Sequence, residues 1–352
     1  MNLAIIAITP NGASLARRLV AEAEGAAVWL PEKFREADDC RYFAEPLKVL
    51  LPRLLTSVDG LVCIMATGIV VRLLGPHLRG KEHDPAVVVV DEAGQFAISL
   101  LSGHLGGANE LATEVAEMLG GQAVITTATD VNNLPAWDDV ARQLNMNVEP
   151  LGRIKLLNGL LLEGRAIALV DSFGQVAERF ADIPGVVVVR SFMQAMQTDV
   201  EGLVFVTHRH IPALDLEKKL LLLRPANLVV GVGCNRGTDA AEIETVIRSE
   251  LEKAFLSPAS ITCLASIDAK QDEGGLLDVA AGLGVALKFF TKEELNEVAA
   301  PSEPSEHALQ AVGARGVCEP AAILAAGGGQ LLVKKKKSGN VTVAVAEMTR
   351  TG

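Results

Sequence analysis

The chain has 352 residues, 49% hydrophobic and 21% charged, enough to bury the cores of two or three domains of ordinary size. Its formal net charge is −11 and it holds one Tyr and two Trp, which argues against a nucleic-acid partner, because that partner needs a basic face and stacking aromatics. Apolar runs such as Leu3 to Ile8 and Leu61 to Ala66 fall well short of the roughly 20 residues that cross a bilayer, no basic region precedes the first of them, and the five cysteines have no C-x-x-C spacing; we expect a cytoplasmic protein with reduced thiols, no membrane partner and no structural zinc.

Short apolar stretches alternate with helical ones, the pattern of an α/β fold with mainly parallel sheets. Leu3 to Ile8 reads as a buried strand, Pro10-Asn11-Gly12 as a turn, and Ala13 to Ala23 as a helix. Ala26 to Leu30, Gly60 to Met65, Ala86 to Val90 and Ala123 to Thr126 supply further strands of a Rossmann-like, doubly wound unit that ends near Pro135. Inside it, Thr67-Gly68-Ile69 with Arg72 repeats the order strand, small polar turn, helix bearing an arginine. Asp91 and Asp130 stand at the C-terminal ends of strands, where ligand crevices open in parallel sheets. Between them the run Leu101-Ser102-Gly103-His104-Leu105-Gly106-Gly107-Ala108-Asn109 sets one histidine among glycines at a helix entrance, where a ligand can approach the backbone and the first N–H groups can meet an anion. His104 can exchange a proton near neutral pH, ligate a metal, or lock the turn onto a carbonyl, and on the residues alone the turn-locking role is the preferred reading.

From Ala136 to Arg224, Asp138 to Leu144 and Gly152 to Leu162 read as helices and Ala166 to Val170, Pro184 to Val189 and Gly202 to Thr207 as strands of a small α/β domain. His208 and His210 flank Arg209; a metal would need a third ligand, so a surface pair is the preferred reading. After the linker-like Pro225-Ala226-Asn227 a third α/β unit begins with the strand Leu228 to Val232 and the turn Gly233-Cys234-Asn235-Arg236-Gly237-Thr238. Its glycine spacing departs from G-x-G-x-x-G and no acidic residue follows at the ribose position, so nicotinamide binding is not expected. An anion-binding turn with Arg236 on a carboxylate and a plain tight turn both remain open. The helix Glu242 to Phe255 follows, with Asp239 and Glu242 as a capping box. Next come the strand Ser260 to Ser266, then Asp268 and Lys270, which can pair with each other in a solvated loop, the helix Leu276 to Leu283, the strand Val285 to Phe290, a helix opened by Thr291 and one opened by Glu319-Pro320. Lys334 to Lys337 lies between two apolar stretches with Ser338-Gly339-Asn340 as a turn, a solvated hairpin or blunted sheet edge. Three domains result, 1–135, 136–225 and 226–352, and three polar strand-to-helix turns suggest a ligand with several carboxylates.

The runs Ala66-Thr67-Gly68-Ile69, Val88-Val89-Val90-Asp91-Glu92, Leu101 to Asn109, Ile125-Thr126-Thr127-Ala128-Thr129-Asp130, Gly233 to Thr238, Ala265-Ser266-Ile267-Asp268-Ala269-Lys270 and Gly316-Val317-Cys318-Glu319-Pro320-Ala321-Ala322, in this order, resemble the CbiG family, the cobalt-precorrin-5A hydrolases of anaerobic cobalamin biosynthesis. The resemblance implies a hydrolase that opens the δ-lactone of a cobalt corrinoid and releases acetaldehyde, with cobalt brought by the substrate and no protein-bound cofactor. It also makes a transient contact with corrin methyltransferases and a homo-oligomer compatible expectations. Lactone opening needs a base, an oxyanion donor and proton delivery. On that chemistry His104 is the expected general base or axial contact to cobalt, with Asp91 or Asp130 orienting it or activating water. Substrate contacts are expected from Thr67, Gly68, Arg72, Ser102, Gly103, Gly106, Gly107 and Asn109, and from Gly233, Arg236, Gly237, Thr238, Asp268, Lys270 and Glu319. The carboxyl domain alone resembles CobE, so a non-catalytic corrinoid carrier is the rival reading.

Overall fold

Strands buried on both faces divide their side chains between two helical layers, and the first sheet is built this way. The computed structural model describes residues 2–23, 25–80, 83–211 and 219–349. Strands β1 (Leu3–Ala7), β2 (Ala27–Pro31), β3 (Arg41–Phe43), β4 (Gly60–Ile64), β5 (Ala86–Val90), β6 (Phe96–Leu101) and β7 (Gln122–Val124) form a seven-stranded sheet in the order β3-β2-β1-β4-β5-β6-β7. Ile5, Ala7, Val62, Ile64, Val88 and Val90 pack on α1 (Pro10–Glu22) and α4 (Ala108–Leu119). Their neighbours Ala4, Ile6, Leu61, Cys63, Val87 and Val89 pack on α2 (Leu47–Leu55) and α3 (Thr67–Leu74). The period of two is that of strands covered on both faces, and full burial of each large apolar side chain contributes roughly 1.5–3 kcal/mol.

Two local readings change. Pro10-Asn11-Gly12 is the first turn of α1 rather than a separate turn: Pro10 takes the first helical position and Thr9 caps the helix by accepting from Gly12 N at 3.1 Å. The strands β3 and β6 were not expected. β6 runs antiparallel to β5, with Val87 opposite Leu101 and Val90 opposite Ala97, while β7 runs parallel to β6. The segments directly after β6 and β7 therefore leave the sheet at the edge where β4 and β5 begin.

Helices α5 (Ala128–Val131), α6 (Trp137–Gln143) and α7 (Ile154–Leu162) follow. A second sheet has the order β10-β9-β11-β12-β8, from β8 (Met146–Glu149), β9 (Ile167–Asp171), β10 (Val186–Val189), β11 (Gly202–Val206) and β12 (Lys219–Pro225). A third has the order β15-β14-β13-β17-β16, from β13 (Leu228–Cys234), β14 (Ile261–Ile267), β15 (Ala286–Phe290), β16 (Leu331–Ser338) and β17 (Val341–Glu347). In it β13, β14 and β15 are parallel, and β17 runs antiparallel to both of its neighbours, β13 and the edge strand β16. The class is α/β with three mainly parallel sheets. The described residues up to Gln143, with Leu151–Ala166 and Arg179–Val186, form one compact unit; Leu144–Pro150, Ile167–Glu178 and those from Val187 onward form a second.

Capping in the second unit also departs from expectation. Asp239 caps the helix Ala240–Lys253 through Ala241 N at 2.8 Å, but Glu242 accepts from Asn340 N at 2.8 Å instead of closing a capping box. The box forms at Thr291 and Glu294. Pro320 is the third residue of its helix, Cys318–Ala325. No helix among the described residues is long and apolar enough to cross a membrane.

Candidate active site

The segment from Ser102 to Gly107 connects β6 to α4, and sterics fix its shape. Ser102 adopts a positive φ of 58° and donates through Oγ to the Asp84 carbonyl at 2.8 Å. The carbonyls of Ser102 and Gly103 accept from the N–H groups of Ala108 and Asn109 at 3.1 and 3.0 Å, which closes the loop onto the helix entrance. A Cβ at Gly106 would lie 2.5 Å from Ser102 Cβ and 2.8 Å from its carbonyl oxygen, and one at Gly103 would lie 2.7 Å from Asn109 Oδ1. Glycine at these two positions is a packing requirement.

The loop holds His104 against the residues after β7. His104 Nε2 lies 2.8 Å from Asp130 Oδ2 and 3.2 Å from Thr129 Oγ1. The same Asp130 oxygen accepts from Thr127 Oγ1 and, at 3.2 Å, from Asn109 Nδ2. Asn109 is itself oriented, since it donates to Thr127 Oγ1 at 3.0 Å and accepts from Ser99 Oγ at 2.7 Å. Burial acts to raise the Asp130 carboxyl, but the hydrogen bonds from Thr127 and His104 and the attraction of the imidazole outweigh it and hold the group below its ordinary value of 3.8. An ionised carboxylate only accepts, so Nε2 is the donor in this hydrogen bond.

Beyond the expected set, Asp138 Oδ2 lies 3.7 Å from His104 Nδ1, with its side chain 4% exposed. Asp138 stands on the first turn of α6, and Asn158 of α7 fixes it by accepting from Trp137 N at 3.0 Å and donating to Asp138 Oδ1 at 2.8 Å. Trp137 anchors the helix, fully buried and stacked on Phe180 with ring centroids 3.8 Å apart. His104 is thus set between two carboxylates.

Asp91 is not part of this cluster. Its carboxylate accepts from Ala93 N at 3.0 Å and Phe96 N at 2.6 Å and so shapes the turn between β5 and β6. The antiparallel register puts it at the opposite end of β5 from His104, ~17 Å away for five residues at ~3.3 Å each. Thr67, Gly68 and Arg72 share that far edge, because they follow β4, whose end lies beside that of β5. Arg72 Nη1 donates to the Gly68 carbonyl within its own helix at 3.1 Å.

The remaining candidates lie in the second unit. Gly233, Arg236 and Lys270 line a cleft of about 520 Å³ together with His307, Lys335 and Lys337. The lysine run is the edge hairpin that was expected, and its alternation turns Lys335 and Lys337 to the cleft. Arg236 is exposed and paired with Asp272 at 3.1 Å. Lys270 does not pair with Asp268: β14 ends at Ile267, a short helical turn follows, and Lys270 meets Glu273 at 3.1 Å, both buried. Glu273 also accepts from Gly237 N at 2.6 Å; burial pushes its carboxyl up, yet Lys270 and this N–H hold it below the ordinary value. Thr238 closes the turn onto the Asn235 carbonyl at 2.7 Å. Glu319, 2% exposed, is taken up by Ser302 Oγ at 2.9 Å and Lys335 N at 2.9 Å, a structural tie rather than an open substrate contact. The surface pair His208 and His210 is also corrected: His208 is 7% exposed and 3.2 Å from Asn227 Nδ2, while His210 is exposed. Among the described residues no group of three or more His, Cys, Asp and Glu is placed to hold a metal.

Comparison with known proteins gives the family. Residues 50–130, 135–225 and 228–346 match the segments described as cobalamin synthesis G N-terminal, cobalamin biosynthesis central region and cobalamin synthesis G C-terminus. The chain is 37% identical to the protein named cobalt-precorrin-5A hydrolase of Priestia megaterium, over 97% of this chain and 94% of that one. It is 36% identical to the protein of the same name of Salmonella typhimurium, over 92% of this chain and 91% of that one. Protein CobE of a Sinorhizobium species is 34% identical over 29% of this chain and 66% of its own length. Three consecutive segment matches and two relatives that span more than nine-tenths of the chain lead to one conclusion: the chain belongs to the cobalamin synthesis G family, CbiG.

Proposed function

We propose that this protein is a cobalt-precorrin-5A hydrolase, which opens the δ-lactone of its corrinoid substrate and releases the extruded two-carbon fragment as acetaldehyde. The observation that carries the reading is similarity to two proteins of that name along nearly the whole chain. The chemistry is assigned to the His104 loop. With Nε2–H donated to Asp130, Nδ1 is the free base. A water held on Nδ1 gives up its proton as its oxygen attacks the lactone carbonyl, and Asp138, 3.7 Å from Nδ1, stabilises the imidazolium that forms. The N–H groups of Leu105 and Gly106, which have no hydrogen-bond partner among the described residues, are our candidates for the oxyanion. Collapse frees the bridge-carbon oxygen; its electron pair becomes the carbonyl of acetaldehyde, the carbon–carbon bond breaks toward the macrocycle, and the imidazolium returns its proton to the product. In the second unit, Arg236 and the lysines of the 520 Å³ cleft are suited to corrinoid carboxylates.

Anaerobic incubation of the purified protein with cobalt-precorrin-5A is expected to release one acetaldehyde per substrate consumed, with no added metal or nucleotide. Tight binding without acetaldehyde or an opened lactone supports the carrier reading that the CobE similarity raises.

A further inference from the structure

A second concave surface adjoins the His104 loop. It is a cleft of about 350 Å³ at the edge where β4 and β5 begin, and its wall includes His77, Arg79, His83, Asp84, Leu105 and Gly106. Leu105 and Gly106 also belong to the loop that carries His104, so the cleft opens one residue from the candidate base. The two loops are tied together: Ser102 Oγ donates to the Asp84 carbonyl at 2.8 Å, and a Cβ on Gly106 would sit 3.2 Å from Ala86 N.

The cleft presents side-chain hydrogen-bond donors that no acceptor among the described residues takes up. Its two carboxylates are engaged by backbone, Asp84 accepting from Arg79 N at 2.9 Å and Gly80 N at 3.0 Å, and Asp59 from Asn2 N at 2.8 Å. The side chains of His77, Arg79 and His83 are exposed and have no hydrogen-bond or ion-pair partner among the described residues. One permanent guanidinium and two imidazoles, each with N–H to donate, therefore face the cleft beside two carboxylates already engaged by backbone N–H groups. Such donors, beside a backbone that Asp84 ties at Arg79 N and Gly80 N, match carboxylates arrayed around a planar ligand.

We infer that His77, Arg79 and His83 form a docking subsite for peripheral carboxylates of the substrate, which holds the macrocycle so that its lactone meets His104. This rests on the corrinoid reading proposed above and adds to it a specificity element outside the glycine loop.

Binding alone tests it. Cobyrinic acid, a cobalt corrin with free side-chain carboxylates, and its methyl ester are titrated into wild-type protein and Arg79→Gln, whose exposed side chain has no role in packing. The subsite predicts that Arg79→Gln weakens binding of the acid by roughly ten-fold or more, that added salt reduces this difference, and that the ester binds both proteins equally and weakly. Equal affinity of the two proteins for the acid, or an equal loss for acid and ester, overturns it. Because no turnover is read, Arg79-dependent binding of the acid by a protein that never releases acetaldehyde supports the subsite while removing the hydrolase reading.

Discussion

His104→Ala is expected to lower turnover of cobalt-precorrin-5A by roughly 10²-fold or more while the protein remains folded. The imidazole is the meeting point of the cluster, 2.8 Å from Asp130 on one side and 3.7 Å from Asp138 on the other, and in the proposed mechanism its removal leaves the attacking water without a base. The side chain is 13% exposed and lies in a polar setting, so its loss does not open the apolar core. Asp91→Ala is the control. Among the described residues the Asp91 carboxylate bonds only within the turn from β5 to β6, so its loss is expected to lower the melting temperature and leave turnover within a few-fold of wild type. A folded His104→Ala protein with near-normal turnover, or an Asp91→Ala protein as impaired as His104→Ala, moves the base elsewhere.

Gly106→Ala is expected to be nearly as damaging, by a different route. The added methyl meets Ser102 Cβ at 2.5 Å and the Ser102 carbonyl at 2.8 Å, and that carbonyl is the acceptor that closes the loop onto Ala108 N. Relief requires the loop to move, which carries His104 away from Asp130. Overpacking of this kind costs about 1–3 kcal/mol of stability, and displacement by about 1 Å costs on the order of 10²-fold in rate. Turnover and thermal denaturation measured on one preparation check both parts. A variant with wild-type rate and stability means that the loop has room that its contacts deny.

Most of the parallel framework was legible because its strands are continuous apolar runs, such as Ala86 to Val90, buried on both faces. The glycine-bracketed loop and its helix were legible for a related reason, since the backbone needs there leave their mark in residue type. β6 was obscured. Phe96-Ala97-Ile98-Ser99-Leu100-Leu101 follows the turn that Asp91 caps, a hairpin signal, but its apolar end merges into the glycine motif. Missing that one antiparallel strand assigns Asp91, Thr67 and Arg72 to the edge occupied by His104, and the register sends them to the other. Asp138 was missed because its neighbour Trp137 buries α6 against Phe180, a contact between residues 43 positions apart in sequence that no local pattern announces. His208 was misread because a strand end looked exposed, and Asn227, 19 residues on, covers it; Glu319, expected on the substrate from the resemblance, is tied up by Ser302.

The central claim is that the protein hydrolyses an acyl bond with a water activated at the His104 centre. The most direct test is a single turnover of cobalt-precorrin-5A in water enriched in ¹⁸O, run anaerobically with wild type and with His104→Ala, with mass analysis of the opened corrinoid. Attack on the lactone carbonyl places one ¹⁸O in the newly freed acetate carboxylate, and the rate of its appearance falls with the loss of His104. Acetaldehyde released from a product whose carboxylate carries no label, or label that appears at the wild-type rate without His104, contradicts the account.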